Sequence, residues 1–204
     1  TFNLLLGSNY YELGDYENAL KYYKISRSFY DQYEDKPFSS VSRSFIAITH
    51  AKLNHYDSAL HLAHIAKDMG DSLGFSWVQR VNLGRLAAIH EEKGNLDSAG
   101  FYLRKILSLF TFSEIYEANY SAFLPLARVK KNMGDFDSAY YYAKRYEDFT
   151  SKNRLYQDVA QVSDLLSELL EESDPKLALK YSRQANAYQD SLARFSQTTF
   201  FEDF

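Results

Sequence analysis

Apolar and polar positions follow one another along this chain with the spacing of amphipathic helices. Ala19, Tyr22, Tyr23 and Ser26 recur as Ala59, Leu62, Ala63 and Ala66, and again as Ala139, Tyr142, Ala143 and Tyr146. Each stripe opens just after a residue that stops one helix and another that starts the next. The pattern predicts helices in pairs: first members near 2–13, 39–53, 76–93, 113–133 and 155–172, second members near 16–33, 57–73, 97–110, 137–149 and 175–195. Pro125 falls inside the fourth first member, where the missing amide is expected to bend or break the helix. Glu34 to Pro37 and Thr150 to Asn153 read as polar loops.

The pairs repeat. Leu13-Gly-Asp-Tyr-Glu-Asn-Ala19-Leu20, Leu53-Asn-His-Tyr-Asp-Ser-Ala59-Leu60, Lys93-Gly-Asn-Leu-Asp-Ser-Ala99-Gly100 and Met133-Gly-Asp-Phe-Asp-Ser-Ala139-Tyr140 align without gaps, forty residues apart. A fainter fifth copy, Glu172-Ser-Asp-Pro-Lys-Leu-Ala178-Leu179, comes one residue early. Gly14, Asn54, Gly94 and Gly134 are residue types that tolerate the left-handed conformation ending a helix. Asp15, Asn95, Asp135 and Asp174 follow as acceptors for the free amides of a new helix, with His55 the odd member. Glu17, Asp57, Asp97 and Asp137 then lie in the first turn, at the positive end of the helix dipole. Twelve residues before the first four alanines stand Gly7, Ala47, Ala87 and Ala127, small enough for two helices to approach closely.

This string of small residue, Gly-Asp-aromatic-acidic turn, alanine and tyrosine resembles the tetratricopeptide repeat family over essentially the whole chain. Armadillo-type repeats have a similar period but lack the turn. The resemblance implies an all-α, right-handed solenoid of about five helix pairs, with repeats near 1–36, 37–74, 75–112, 113–152 and 153–195 in one domain spanning 1–204. The forty-residue period departs from the family's usual length of about 34. The surplus is expected in the second helix and its loop.

Composition narrows the chemistry. The 204 residues are 46% apolar, 17% aromatic and 25% charged, enough for a core. A net charge of −4, with both signs mixed along the chain, argues against a direct nucleic-acid partner. Cysteine is absent, so no disulfide framework or thiolate exists. No apolar run reaches the roughly 18 residues that span a bilayer. The chain opens on Thr1 and ends on an aromatic stretch from Phe195 to Phe204. We expect it to be part of a longer protein, with 196–204 leading into a further segment or forming a homodimer contact.

No phosphate loop, nucleophile elbow, zinc-protease helix or calcium loop is present, so the sequence points to no enzyme, cofactor or metal. His61 and His64 could share a helix face but have no clear third ligand. His50 and His90 stand where the first repeat has Tyr10, a packing position, and most of the 18 tyrosines and 15 phenylalanines are expected to fill space between helices.

Function is therefore expected from a binding surface for a protein or peptide partner. The family pattern projected onto this chain places Tyr11, Glu12, Ser44, Ile48, Lys52, Glu91, Glu92, Arg128, Lys131 and Asn132 along the groove. Family members that grip acidic chaperone tails use lysine, asparagine and arginine on their first helices. Leu4, Ser8 and Phe45 stand at matching places, so that clamp is not expected. The period, the Gly-Asp-aromatic-Asp-Ser-Ala turns and Tyr188-Gln-Asp-Ser-Leu192 are also similar to sensor regions of membrane-tethered transcriptional regulators and histidine kinases of Bacteroidetes-type bacteria. That likeness implies a periplasmic sensing half and leaves a cytoplasmic location open.

Overall fold

A computed structural model describes residues 2–109 and 120–202, leaving aside the side chains of Ser121 and of residues 195–202. The described residues form ten α-helices and one 3-10 turn. These are α1 (Phe2–Glu12), α2 (Tyr16–Gln32), α3 (Lys36–Lys52), α4 (Tyr56–Leu73), α5 (Ser76–Glu92) and α6 (Leu96–Ser108), then the 3-10 turn Tyr120–Ala122. After it come α7 (Phe123–Asn132), α8 (Phe136–Lys152), α9 (Tyr156–Leu170) and α10 (Pro175–Glu202). They group into two compact units, residues 1–119 and residues 120–204. Within the first, α1 packs on α2, α3 on α4 and α5 on α6, with α3 also against α2 and α5; within the second, α7 packs on α8 and α9 on α10.

The turns follow the expected chemistry. Gly14 takes φ +77°, and Asn54, one repeat on, takes +62°. Asp15, Asp135 and Asp174 accept the backbone N–H of Asn18, Ser138 and Leu177 at 3.2, 3.2 and 3.0 Å. Asn95 makes no side-chain capping bond, contrary to its expected role, and Asp35 caps α3 instead by accepting from Phe38 N–H. The segments expected as polar loops are largely helical: Lys36 and Pro37 open α3 and Thr150 to Lys152 close α8, leaving tight turns at 33–35 and 153–155 in which Glu34 and Arg154 adopt φ of 55° and 56°.

The surplus over the usual repeat length is shared. Helices α3 and α4 have 17 and 18 residues and the described turns from one helix to the next are only two to four residues long, so the first helix is lengthened too and the loop is not. Pro125 is the third residue of α7, where its missing amide has no partner inside the helix to lose. Regular helix therefore starts just before the proline, after the 3-10 turn. The part of the expected helix before residue 120 lies outside the described residues.

Small residues set the spacing of each pair. Ala19, Ala59, Ala99 and Ala139 are fully buried, as are Ala47 and Ala127, and Ala87 is nearly so. In the first pair the partner position is Gly7, where a Cβ would stand 2.6 Å from two ring carbons of Tyr23. That ring fills the space the glycine leaves, and its hydroxyl donates to Ser8 Oγ at 3.2 Å. Around these contacts lie two apolar clusters in the first unit, one of Ala19, Leu20, Tyr23 and Ile46 and one of Ala47, Ile48, Ala51, Ala59, Ala63, Leu86 and Ile89.

Polar groups are also buried there, and several are bonded, although the Tyr30 hydroxyl and Asn82 Oδ1 have no partner. Ser26 and Ser42 share a hydrogen bond of 3.2 Å between α2 and α3. Ser40 Oγ and Asn82 Nδ2 both donate to the Ala66 carbonyl, at 2.8 and 2.7 Å, tying α3 and α5 to α4. The second unit packs Leu124, Ala127, Ala143, Tyr146, Val162, Leu165, Leu166 and Tyr181. Its Tyr146 hydroxyl donates to Asp158 at 2.8 Å.

Two backbone substitutions separate these constraints. Gly7→Ala forces the Tyr23 ring to move and is expected to cost about 1–3 kcal/mol. Glu34→Gly removes a left-handed non-glycine residue and is expected to stabilise by up to about 1 kcal/mol. Urea unfolding of both variants checks the signs; equal midpoints for Gly7→Ala and the parent would refute the close-approach account.

Candidate functional site

Helices α3 and α5 end side by side, because each terminates at a repeat turn and buries its small residue against the helix that follows, and Tyr11 from the end of α1 packs against the cluster they share. Their last turns carry polar and aromatic side chains that the core does not need. Lys52, at the end of α3, donates to Glu92 at the end of α5, and this bond is the main reason its ammonium is held above the ordinary lysine range. Both side chains are partly exposed, so the pair itself contributes at most about 1 kcal/mol. The Tyr56 hydroxyl lies 3.2 Å from the Glu92 carbonyl. Tyr11 stands close enough to interact with Lys52, Arg85 and Glu92, and burial pushes its hydroxyl above the usual tyrosine range.

Arg85, on α5 two turns before Glu92, completes this face. Its guanidinium sits over the Phe45 ring, 4.3 Å from the centroid. Burial is the main influence on it and favours the uncharged form, opposed by Tyr11, Tyr23 and Glu12. None of those groups is at ion-pair distance, and Arg85 Nε is buried with no hydrogen-bond acceptor.

The sequence-predicted residues divide into three sets. Tyr11, Lys52 and Glu92 come together here, with Glu12 close enough to influence Arg85; Glu12 and Glu92 are exposed, Tyr11 and Lys52 half-buried, and Glu91 is half-buried in the last turn of α5. Ser44 and Ile48 do not join them. Ser44 is fully buried and donates to the Val41 carbonyl at 2.8 Å, and Ile48 belongs to the apolar cluster between α3, α4 and α5. Their helix turns them inward, and as groove residues they are corrected. Arg128, Lys131 and Asn132 belong to the second unit, where Lys131 donates to Glu168 across α7 and α9, and Arg128 and Asn132 are exposed.

Arg85 was not among the predicted residues, yet a signal existed. Two residues before each small residue the chain has Leu5, Phe45, Arg85 and Pro125, so the third copy puts a charge in an apolar column.

His50 and His90 pack as the column predicts. His90 stacks on Tyr102 with ring centroids 5.4 Å apart, as Tyr10 stacks on Tyr22 at 5.3 Å. Among the described residues no group of three His, Cys, Asp or Glu could hold a metal ion, and no helix is long and apolar enough to cross a membrane.

Comparison with known proteins places this arrangement. The family model described as tetratricopeptide repeat matches residues 1–63. No curated protein matches the chain. Among solved structures, a putative kinesin light chain from Podosopora anserina with nearly identical TPR-like repeats is similar at 14% identity and a TM-score of 0.67, covering 94% of this chain and 95% of that one. Aspartyl phosphate phosphatase F from Bacillus subtilis is similar at 15% identity and a TM-score of 0.72, over 100% of this chain and 59% of that one. The Rap conjugation gene regulator of plasmid pLS20, solved with the Phr* peptide, is similar at 17% identity and a TM-score of 0.62, over 96% of this chain and 63% of that one. At these identities the likeness is one of fold, and the fold is that of tetratricopeptide-type repeats.

The two histidines give a pH prediction. Burial is the main cause holding both below the ordinary value of about 6.5; Lys24 and His55 add to it for His50 against Glu17, and His64 and Lys93 for His90. Between the folded value and about 6.5 the unfolded chain binds more protons, so stability is full above that window and falls as pH drops through it. Thermal melts from pH 7.5 to 5 should show that fall, and His50→Tyr with His90→Tyr, restoring the residue type of Tyr10, should flatten it. An unchanged pH profile in the double variant would sink this assignment.

Proposed function

We propose that this tetratricopeptide-repeat chain is a binding scaffold that holds an extended peptide or a partner protein on the α1, α3 and α5 face of its first unit. The observation that carries the reading is the gathering of Tyr11, Lys52, Arg85 and Glu92 on neighbouring helices, with the half-buried Arg85 keeping an enclosed Nε that has no acceptor. Stacked helix pairs offer such surfaces to extended partners. The Rap regulator, of like fold, was solved with a peptide, which is consistent with this use of the fold.

The finer reading is that the chain is the sensory or interaction region of a bacterial signalling regulator. It rests on the forty-residue period and the Tyr188-Gln-Asp-Ser-Leu192 segment. In the structure Tyr188 stacks on Tyr156 at 5.5 Å, and Gln189 donates to Asp164 at 2.9 Å, so the segment docks α10 on α9. A second reading, self-association, is favoured by the exposed apolar Leu155, Tyr156, Leu179 and Leu192 of the second unit.

Capture from the native cell extract separates these. The parent chain is compared with Tyr11→Ala/Lys52→Ala and, as a control on α2, Lys21→Ala/Lys24→Ala. The binding-scaffold reading expects a specific partner retained by parent and control and depleted about tenfold or more on the face variant. A partner retained equally by all three would place binding elsewhere. Mass that rises with concentration, with no partner at all, would favour self-association.

A further inference from the structure

The starts of α3 and α5, remote from the last turns that carry Lys52 and Glu92, meet the end of α2 in a row of aromatic rings. Ring centroids lie 4.5 Å apart from Tyr33 to Phe29, 5.6 Å from Phe29 to Tyr30, 5.2 Å from Tyr30 to Phe38 and 5.4 Å from Phe38 to Trp77. Tyr30 is buried within the row, whereas Phe29, Tyr33, Phe38 and Trp77 are 48, 64, 36 and 38% exposed. We propose that this row is a second docking surface, distinct from the α1, α3 and α5 face, and that its occupant is an uncharged proline-rich segment of a partner protein, bound as a polyproline II helix.

The repeat itself does not require these rings. In other repeats the place of Phe38 is taken by Val78 and Asp158, and that of Trp77 by Pro37 and Gln157. Phe149, the repeat equivalent of Phe29, is covered by Tyr120, which stacks on it at 3.9 Å, while Phe29 stays open to water. Large apolar side chains held in water against one another mark a surface that another chain covers.

Polarity selects the occupant. The charges along the row are already matched: Asp31 accepts two bonds of 3.0 Å from Arg43, Asp35 accepts the Phe38 N–H, and Glu34 and Lys36 oppose each other in the turn between Tyr33 and Phe38. Such a strip is complementary to an uncharged ligand. The Tyr33 hydroxyl and the Trp77 indole N–H make no hydrogen bond to the described residues, so donors stand beside the rings. A polyproline II helix answers both, because it has no internal hydrogen bonds and its carbonyls stay free. An α-helix uses its carbonyls internally, and a second copy of this face would bring the same donors without carbonyls to receive them.

The dimensions agree. Phe29 and Phe38, with Tyr30 between them, are at most about 11 Å apart, close to the roughly 9 Å pitch of a polyproline II helix. Two prolines one turn apart can therefore lie on Phe29 and Phe38, with Trp77 flanking the second. Proline's fixed φ leaves the ligand little conformational entropy to lose on docking.

Trp77 is the chain's only tryptophan, so its emission reports on the row directly. Acetylated decaproline amide is titrated into the full chain, beside a ten-residue peptide of glycine and asparagine and an amphipathic helix former of leucine and alanine. Decaproline is expected to shift the emission to the blue, saturably, and to bind about tenfold or more tightly than either control. Anisotropy of fluorescein-labelled decaproline then compares variants. Phe29→Ala and Trp77→Ala should each weaken binding about tenfold, and Tyr33→Phe, which keeps the ring and loses one donor, a few-fold. Phe101→Ala, at an exposed ring on α6, and Tyr11→Ala/Lys52→Ala should bind as the parent does. Melting temperatures identify any variant that fails to fold, and Tyr33→Phe keeps the test open in that case.

No blue shift with decaproline, equal affinity for the glycine and asparagine peptide, or tighter binding of the helix former would overturn the proposal. So would decaproline binding that survives in Phe29→Ala and Trp77→Ala, or that is lost in Tyr11→Ala/Lys52→Ala alone. A blue shift that grows with protein concentration in the absence of peptide, together with a doubled mass, would give the row to a second copy and overturn it too. The reading of the α1, α3 and α5 face stands or falls separately, on partner capture by the Tyr11→Ala/Lys52→Ala variant.

Discussion

The structure depends on how closely two helices can approach at one small residue in each repeat. Gly7 shows this most directly, since the Tyr23 ring occupies the place of its missing side chain. Ala47, Ala87 and Ala127 repeat the condition with one methyl group each, against helices whose own alanines, Ala59, Ala99 and Ala139, are fully buried. Small residues on both sides bring backbones together and leave the larger side chains to interdigitate around the contact. The consequence is a fixed spacing of first helices within a unit, and that spacing puts Lys52 within reach of Glu92.

Buried polar groups add direction to this packing. An apolar interface alone tolerates sliding, whereas a serine or asparagine buried without its acceptor is costly, so each bond selects a register. Ser26 with Ser42, and Ser40 and Asn82 with the Ala66 carbonyl, pin α2 to α3 and both α3 and α5 to α4. These bonds lie toward the starts of α3 and α5, away from the last turns that carry Lys52 and Glu92. The helices are thus fixed at one end and present Lys52 and Glu92 at the other. Longer first helices, 17 residues in α3 and in α5, make room for both tasks on the same element.

The sequence determined the repeat by itself. A residue such as Gly14 or Asn54 needs only its own backbone to end a helix, and Asp15 or Asp135 needs only the next three residues to begin one, so both are legible locally. The stripes of Ala19 or Ala139 likewise fixed which face of each second helix is buried. Other features required the fold. Ser44 and Ile48 face inward because α3 is packed on both α4 and α5, which a single-helix pattern with four neighbouring serines cannot show. Whether the surplus residues of each repeat lengthen helix or loop was decided by Asp35 and Glu34, whose cap and left-handed turn start α3 early. Arg85 lay in plain view as a charge in an apolar column, but its half-burial, its seat on Phe45 and the enclosure of its Nε without an acceptor come from packing between helices. Local backbone chemistry is written in neighbouring residues; the environment of a side chain is made by residues far along the chain, and only packing brings those together.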